Sequence, residues 1–455
     1  MRFFQRGIVV RILELIFLSI YVAIVTALGI VRRRSKGDED YVVGARKIER
    51  FGSTMTIFAT LVSESLIFFA VSLTALYGPF AGLAGIGGAA LGMMVLSFIA
   101  PKAHAGGVEN RYVCITEYCK QRWGNVIGRF AQVIFLMLMA WVVILQINLN
   151  GKIMMGISGW TPAQATALTV TVVLFYTVLG GFRAVVSTDI FQGIVVGMMV
   201  FLSLVISPRP TLAVFLDTRF LSLDVLMIFI TSFALTITRP ELWQRIYSAA
   251  SGRKAAHSLR FAALLYSGLG CFVQYFALAI IQSSPSLTPE QAFAVGYRHI
   301  LPSIFAALFP VILLAAMMSS LDSAAFLLSV DLASLRAKTK AKRIRWARVY
   351  LTVVLVGSGL ISLTIFDSLA FAYKLNGIVA LFAIPLLMSF LLKTSDKLLG
   401  VSIFSGLTMY MILLLSGRID RNPVESTLAG LVTGVVFFLG YVIERYLIPS
   451  HHPDV

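Results

Sequence analysis

A cluster of oxygen-bearing side chains lies in residues 313–326, LLAAMMSSLDSAAF, inside an otherwise apolar run. On a helix, Ser319 and Ser323 share one face, and Ser320 lies on the same turn as Ser319. Hydroxyl and carbonyl oxygens suit a hard cation such as sodium. Serines that bond to the carbonyl four residues earlier are also frequent in membrane helices, so the spacing leaves both interpretations open. Asp322 favours a cation, because a buried carboxylate needs a positive partner.

A second polar cluster interrupts the apolar segment FATLVSESLIFF, where Glu64 lies between Ser63 and Ser65. A charge inside a membrane span costs about 3 kcal/mol or more, so such a residue is a functional candidate. One interpretation is a single carboxyl group, hydrogen-bonded to a neighbouring helix. The other is an unwound helix whose serines and backbone groups line a cavity, as in many transporters.

Two more charges lie in apolar segments, Asp189 in GGFRAVVSTDIFQG and Lys374 in FAYKLNGIVALFAIP. Asp189 is explained as part of a helix start that pairs locally with Arg183, or as a functional carboxylate. The Lys374 side chain either extends towards the membrane surface or faces a partner carboxylate. Glu64 is our candidate partner, and the two would form an ion pair or bind the two ends of a zwitterion.

The composition predicts the elements that must hold these residues. Of the 455 residues, 58% are hydrophobic and 13% are charged, whereas soluble domains average about 45–50% apolar and about 25% charged residues. The chain is therefore predicted to be an all-α polytopic membrane protein. The thirteen predicted spans lie near 8–31, 53–77, 80–100, 126–148, 163–181, 184–206, 221–238, 258–281, 303–330, 346–365, 367–392, 396–415 and 425–448.

The net charge of +17 is distributed unevenly among the loops between these spans. Most basic residues fall in loops that share one side if thirteen spans are correct, near 32–50, 102–122, 239–260 and 336–345. The positive-inside rule places that side in the cytoplasm, with the N-terminus outside and the C-terminus inside. The basic residues thus indicate topology and contact with lipid head groups, and not nucleic-acid binding.

The span count also predicts the domain organisation. Residues 1–51 hold an extra span and a basic loop, and residues 393–455 hold two further spans. The ten spans between them divide into 52–206 and 207–392, five in each half. Because five is odd, the halves have opposite orientations, which is the arrangement of an inverted repeat.

The sequence contains no pattern typical of an enzyme or a transition-metal site. Cys114, Cys119 and Cys271 do not have zinc-ligand spacing, and none of the five histidines is in a paired motif. We find no nucleophile with a neighbouring base in the spans. We therefore expect no catalytic residues.

Four motifs, in this order, resemble those of the sodium:solute symporter family. They are DEDYVVGARKIERFGSTMTIFATLVSES (38–65), YTVLGGFRAVVSTDIFQG (176–193), RPELWQRIYSAASGRKA (239–255) and LAAMMSSLDSAAFLLSVDL (314–332). The resemblance covers about 40–392 and implies the LeuT-type five-plus-five inverted repeat with alternating access. It also implies a sodium ion between the first and eighth core helices, which are predicted spans 2 and 9.

The resemblance carries ligand positions onto this sequence. The implied sodium ligands are the carbonyls of Ala59, Val62 and Ala316 and the hydroxyls of Ser319 and Ser320. Many relatives have threonine at the last position, and serine keeps the hydroxyl group.

A second cation site, present in some relatives, corresponds to Asp189 and Ser323. Asp322 stands where those relatives have serine. The implied solute-binding positions come from the first, sixth and tenth core helices: Ser63, Glu64, Ser65, Phe233, Thr236, Thr238, Tyr373 and Lys374. Relatives often have glycine and proline after the unwound stretch, where this chain reads FFAVSLTALYG.

Taken together, the residues and the resemblance predict a symporter of the cell membrane that imports a small polar organic solute with sodium. Two alternatives stay open: coupling to protons, and a transporter-like sensor or regulatory subunit without net transport. The expected partners are the solute, sodium and the lipid bilayer. Monomer and homodimer are both compatible with the sequence.

Overall fold

A computed structural model describes residues 2–31, 37–216, 221–336, 339–365, 367–392 and 394–446, without the side chains of Glu64 and Ser65 among others. The described residues are almost entirely helical. The α-helices are α1 Arg2–Val31, α2 Asp38–Val43, α3 Arg50–Leu61, α4 Phe69–Tyr77, α5 Pro79–Glu109, α6 Ile115–Arg122, α7 Gly124–Ser158, α8 Pro162–Gly197, α9 Met199–Leu202, α10 Leu223–Thr238, α11 Pro240–Ser248, α12 Gly252–Ser283, α13 Pro289–Val295, α14 Ser303–Arg336, α15 Lys340–Ser362, α16 Ser368–Ala380, α17 Ala383–Leu391, α18 Asp396–Leu415, α19 Arg418–Arg421 and α20 Thr427–Tyr446.

Ten helices in the described part of the chain are long and apolar enough to cross a membrane, or up to twelve if two bent pairs each form one span. One bent pair joins α3 to the segment Leu66–Tyr77 at 41°, and the other joins α10 to α11 at 44°. A shorter apolar helix, Pro162–Val178, corresponds to the fifth predicted span. The prediction of an all-helical polytopic membrane protein is confirmed.

Each of three helix breaks has a local backbone cause. The helix α3 ends at Val62, which has φ −83° and ψ 67°, and a π-helical turn follows at Glu64–Phe68. Gly181 bends α8 with φ 61° and ψ −163°, a conformation open to glycine. Arg239 precedes Pro240 and is extended, because proline disfavours a helical conformation in the residue before it.

The helix α14 lies at the centre of the molecule. In its most apolar 18-residue window 83% of the residues are buried, compared with 28% for the corresponding window of the first span. It packs against α1, α3, α7, α8 and α15. Small residues such as Ala315, Ala316, Ala324 and Ala325 let these neighbours approach closely. The polar groups in the middle of α14, from Ser319 to Ser329, are therefore shielded from lipid by other helices.

Several of the basic loops meet on one face, which we call the basic face. Arg46 donates hydrogen bonds to the carbonyls of Tyr247 and Tyr112, both at 3.0 Å. The amide of Ile48 donates to the carbonyl of Ser248 at 3.1 Å. Arg343 pairs with Asp38 across the same face. These contacts bring together loops that are far apart in the sequence.

Candidate cation and solute site

The break after α3 meets the middle of α14 at Ser320. The Ser320 hydroxyl donates a hydrogen bond to the carbonyl of Thr60 and lies 2.7 Å from the hydroxyl oxygen of Ser63. Ser320 and Ser63 are fully buried. Three oxygens from two helices therefore converge beside a stretch of non-helical backbone, as a cation site between these helices requires.

The other predicted sodium ligands lie in the same buried region. Ala59, Val62 and Ala316 are at most 1% exposed. Ser319 Oγ is buried and makes no hydrogen bond of ordinary geometry to any described residue, although the hydroxyl lies near the carboxyl group of Asp189. A hydroxyl beside a carboxyl group can donate to it and still offer an oxygen lone pair to a cation.

The predicted second cation site contains a side chain that the sequence did not place there. The guanidinium of Arg245 is fully buried, and its Nη2 lies 3.2 Å from Asp189 Oδ2 and 2.6 Å from Ser323 Oγ. The same nitrogen donates to Thr60 Oγ1 at 3.0 Å. Thr56 donates a further hydrogen bond to Asp189. The positive partner of Asp189 in this structure is therefore part of the protein.

Asp322 lies beside this cluster and is bonded to hydroxyl groups. Its Oδ2 accepts a hydrogen bond from Tyr176 at 2.9 Å and one from Thr188 at 3.3 Å, while Ser323 donates to Oδ1 at 3.4 Å. Asp322, Tyr176 and Thr188 are fully buried. With both carboxylates ionised, the two aspartates and Arg245 leave one net negative charge in the protein interior.

Two interpretations drawn from the sequence need correction here. Arg245 falls in a segment that the sequence assigns to a basic loop. In the structure, Trp243, Ile246 and Tyr247 of α11 are buried, and Arg245 is buried with them. Arg183 does not pair with Asp189. It contacts Asp40 at 2.5 Å on the basic face instead.

The structure describes some of the solute positions that are predicted on the first core helix. Ser63 accepts a hydrogen bond from Gln146 of α7 at 3.3 Å. The side chains of Glu64 and Ser65 lie outside the described residues, although their backbone begins the π-helical turn. Tyr373 of α16 is 1% exposed, and its ring centroid lies 5.8 Å from that of Phe69.

The remaining predicted solute positions lie on α10 and α16. Phe233 lines an apolar groove with residues of α17 and α20. Thr236 faces Gly92 of α5 and bonds to the carbonyl of Ser232, and Thr238 bonds to the carbonyl of Ala234 at 2.8 Å. Lys374 pairs with Asp420 at 2.5 Å and has 38% of its side chain exposed.

Two polar residues of α7 were missed by sequence reasoning. Gln146 and Asn150 are four positions apart, so they lie on one helix face, and both are fully buried. Neither amide atom of Asn150 has a hydrogen-bond partner among the described residues. The signal in the sequence was the polar alternation QINLNGK at 146–152 inside an apolar span.

Comparison with known proteins gives the family context of this arrangement. Residues 41–208 match the model of the sodium:solute symporter family. No curated protein matches the sequence significantly.

Two solved structures share the fold. A Na⁺-coupled sialic acid symporter in a substrate-bound outward-open state matches with a TM-score of 0.76 at 17% identity, over 96% of this chain and 98% of that one. A nucleobase-cation-symport-1 family transporter in a closed conformation, with bromovinylhydantoin bound, matches with a TM-score of 0.57 at 13% identity, over 92% of this chain and 97% of that one. The chain thus has the LeuT-type fold, and the match of residues 41–208 confirms its resemblance to the sodium:solute symporter family.

Proposed function

We propose that this protein is a secondary active symporter that carries a small polar organic solute together with sodium. The observation that supports the proposal most directly is the meeting of Ser320 with the Thr60 carbonyl and Ser63 at the break in the first core helix. This proposed function is consistent with the expectation that the protein is not an enzyme.

Sodium would be held by the carbonyls of Ala59, Val62 and Ala316 and the hydroxyls of Ser319 and Ser320. These oxygens are neutral, so they bind sodium without the charge of a carboxylate and release it readily. They also come from two helices, α3 and α14. Relative movement of the two helices changes the sodium affinity, and this difference in affinity is what couples the ion to the conformation.

In the same proposal, Asp189, Asp322 and Ser323 form the second polar site, and Arg245 supplies the positive charge there. The guanidinium 3.2 Å from Asp189 takes the place that a second cation would occupy beside that carboxylate. We therefore expect one sodium ion per transport cycle.

The proposed solute site lies at the level of the break in the first core helix. Ser63, Glu64 and Ser65 would contribute to it, with Tyr373 from the tenth core helix. We add Gln146 and Asn150, whose buried amide groups suit a solute that offers hydroxyl or amide hydrogen bonds. A solute that pairs with the unpartnered Asn150 amide gains binding energy that a purely apolar solute does not.

We also propose that the basic face is cytoplasmic. Residues 52–206 and 207–392 would then form the two inverted repeats. Residues 1–51 and 393–455 would supply the additional spans, in a cell membrane.

A thermal-shift screen tests the proposal in the purified protein. Solutes are added with sodium chloride or with potassium chloride at equal ionic strength. We expect sodium to raise the melting temperature by itself, because it binds only the folded state. A solute of the transported class should add a further increase that requires sodium. Equal melting temperatures in sodium and potassium with every solute would contradict the proposal.

A further inference from the structure

An apolar groove of about 580 Å³ lies between the helices α10, α17 and α20. It is bounded by Phe233 of α10, Ile384 of α17 and Gly434 of α20. Val435 and Phe438 also line it, and they are 58% and 66% exposed. All three helices belong to segments that are apolar enough to cross a membrane. The groove therefore opens sideways to the hydrocarbon of the bilayer, and its apolar lining keeps it free of water.

A polar pocket of about 650 Å³ lies on the basic face, where Tyr112 lines it. Lys102, Arg122 and the carboxylate of Glu109 also line it. Among the described residues, neither of the two cations forms an ion pair with a carboxylate. The Lys102 ammonium donates to the carbonyl of Phe390 at 2.6 Å, which uses one of its three hydrogens. The pocket therefore has a net positive charge and donors to offer.

The groove and the pocket are neighbours on one face of α17. Ile384 lines the groove, and Leu391, seven positions later, lines the pocket. Seven residues make about two turns, so the two side chains share a face. Met388 lies between them and lines the groove, about 5 Å along the helix axis from Leu391. Leu391 is 56% exposed, so the strip that joins the two sites faces outwards.

The two sites lie at different depths in the membrane. Phe98 is 70% exposed and lies one turn before Lys102 on the same face of α5. A lysine in this position reaches the level of the lipid head groups with its ammonium. Ile230 and Ala234, which line the groove, lie in the second half of α10, the half that leads to the basic face. The groove is therefore at the depth of the acyl chains of the leaflet on that side.

We infer that the groove and the pocket together bind one anionic phospholipid. An acyl chain lies in the groove beside Phe233 and Val435, and the phosphate group lies in the pocket beside Lys102 and Arg122. A free anion would leave the apolar groove empty, and an apolar helix would leave the two cations without a partner. Phe233, a predicted solute position, contacts lipid in this assignment. The inference depends neither on sodium nor on the transported solute.

Native mass spectrometry of the purified, delipidated protein in detergent tests the assignment. The protein is titrated with phosphatidylglycerol or with phosphatidylcholine of the same acyl chains, and the concentration that half-occupies the first lipid site is measured. Phosphatidylglycerol should bind about tenfold more tightly, because its head group has a net negative charge. Glycerol phosphate, which has the phosphate without the chains, should not displace it at the same concentration.

Variants of the pocket test the recognition of the head group. Lys102→Gln and Arg122→Gln should each weaken phosphatidylglycerol binding by about fivefold, the effect of one cation at a lipid surface. Lys102→Arg keeps the charge and should bind as the parent protein does. The control is Arg345→Gln on α15, which removes an exposed cation of the basic face that does not line the pocket.

A variant of the groove tests the site of the acyl chain. Val435→Trp fills the groove and should weaken both phospholipids by about tenfold, the effect of displacing roughly two methylene groups. Val401→Trp on α18 is the matched control, because Val401 is 59% exposed and lines neither site.

Three outcomes would overturn the inference. The first is equal affinity of the parent protein for the two phospholipids, and the second is an equal effect of Val435→Trp and Val401→Trp. The third is a dimer that Val435→Trp dissociates without any change in lipid occupancy, which would assign the groove to a second copy of the chain. Tight binding in Lys102→Arg but not in Lys102→Gln would show that the loss comes from the charge and not from misfolding.

Discussion

Ser320 is the residue on which the sodium site depends most. Its hydroxyl is bonded to the carbonyl of Thr60 and lies 2.7 Å from Ser63 Oγ, so it joins α14 to the broken helix. Spacing alone could not distinguish a cation ligand from a serine bonded within its own helix. The structure directs the Ser320 hydroxyl across to another helix.

Replacing Ser320 with alanine should weaken sodium binding by about tenfold, the loss of one oxygen ligand. The measurement is the sodium concentration that gives half of the maximal thermal shift. Ser320→Thr keeps the hydroxyl and should bind sodium nearly as tightly as the parent. Ser329→Ala is the control, because the Ser329 hydroxyl bonds to the carbonyl of Phe326 within α14. Equal sodium affinity in all four proteins would remove Ser320 from the site.

The sequence alone does not show that Arg245 is the buried partner of Asp189. Arg245→Ala should lower the free energy of unfolding by about 3–5 kcal/mol, because it leaves the Asp189 carboxylate buried and unpaired. Adding Asp189→Asn should recover part of that loss. Lys254→Ala removes an exposed partner of Glu49 and should cost less than about 1 kcal/mol. Denaturant unfolding in detergent measures all three, and equal losses for Arg245→Ala and Lys254→Ala would contradict a buried ion pair.

At the scale of the element, three helices are broken: one after α3, one at Gly181 in α8 and one before α11. The break after α3 agrees with one of the two interpretations of Ser63, Glu64 and Ser65, in which polar groups in mid-span favour unwinding. The break before α11 follows from Arg239 preceding Pro240, but its consequence, the inward turn of Arg245, depends on tertiary packing. A sequence pattern reports periodicity along one helix and does not report which neighbouring helix a side chain meets.

Gly181 offers a test of the third break. With φ 61° and ψ −163°, a Cβ atom would be strained and would lie 2.6 Å from the ring of Tyr41. Gly181→Ala should therefore lower the free energy of unfolding by about 1–3 kcal/mol. Gly197, at the end of the same helix, has no atom within 4 Å of such a Cβ. Gly197→Ala should be neutral or slightly stabilising, and a similar loss in both variants would argue against the break.

At the scale of the whole molecule, the helical class and the resemblance to a symporter family were predictable, because hydropathy and four motifs determine them. The contact of Asn422 with Tyr77 was not, because it joins residues 345 positions apart and no local pattern marks either one. The same limit applies to the pairing of Lys374 with Asp420, which no local pattern marks.

The central claim, that sodium drives solute movement, is tested most directly by uptake into proteoliposomes that contain the purified protein. The solute is the one that gives the sodium-dependent thermal shift. An inward sodium gradient should drive accumulation of the solute, and an equal potassium gradient or a pH gradient alone should not. Uptake driven by the pH gradient and indifferent to sodium would contradict the account.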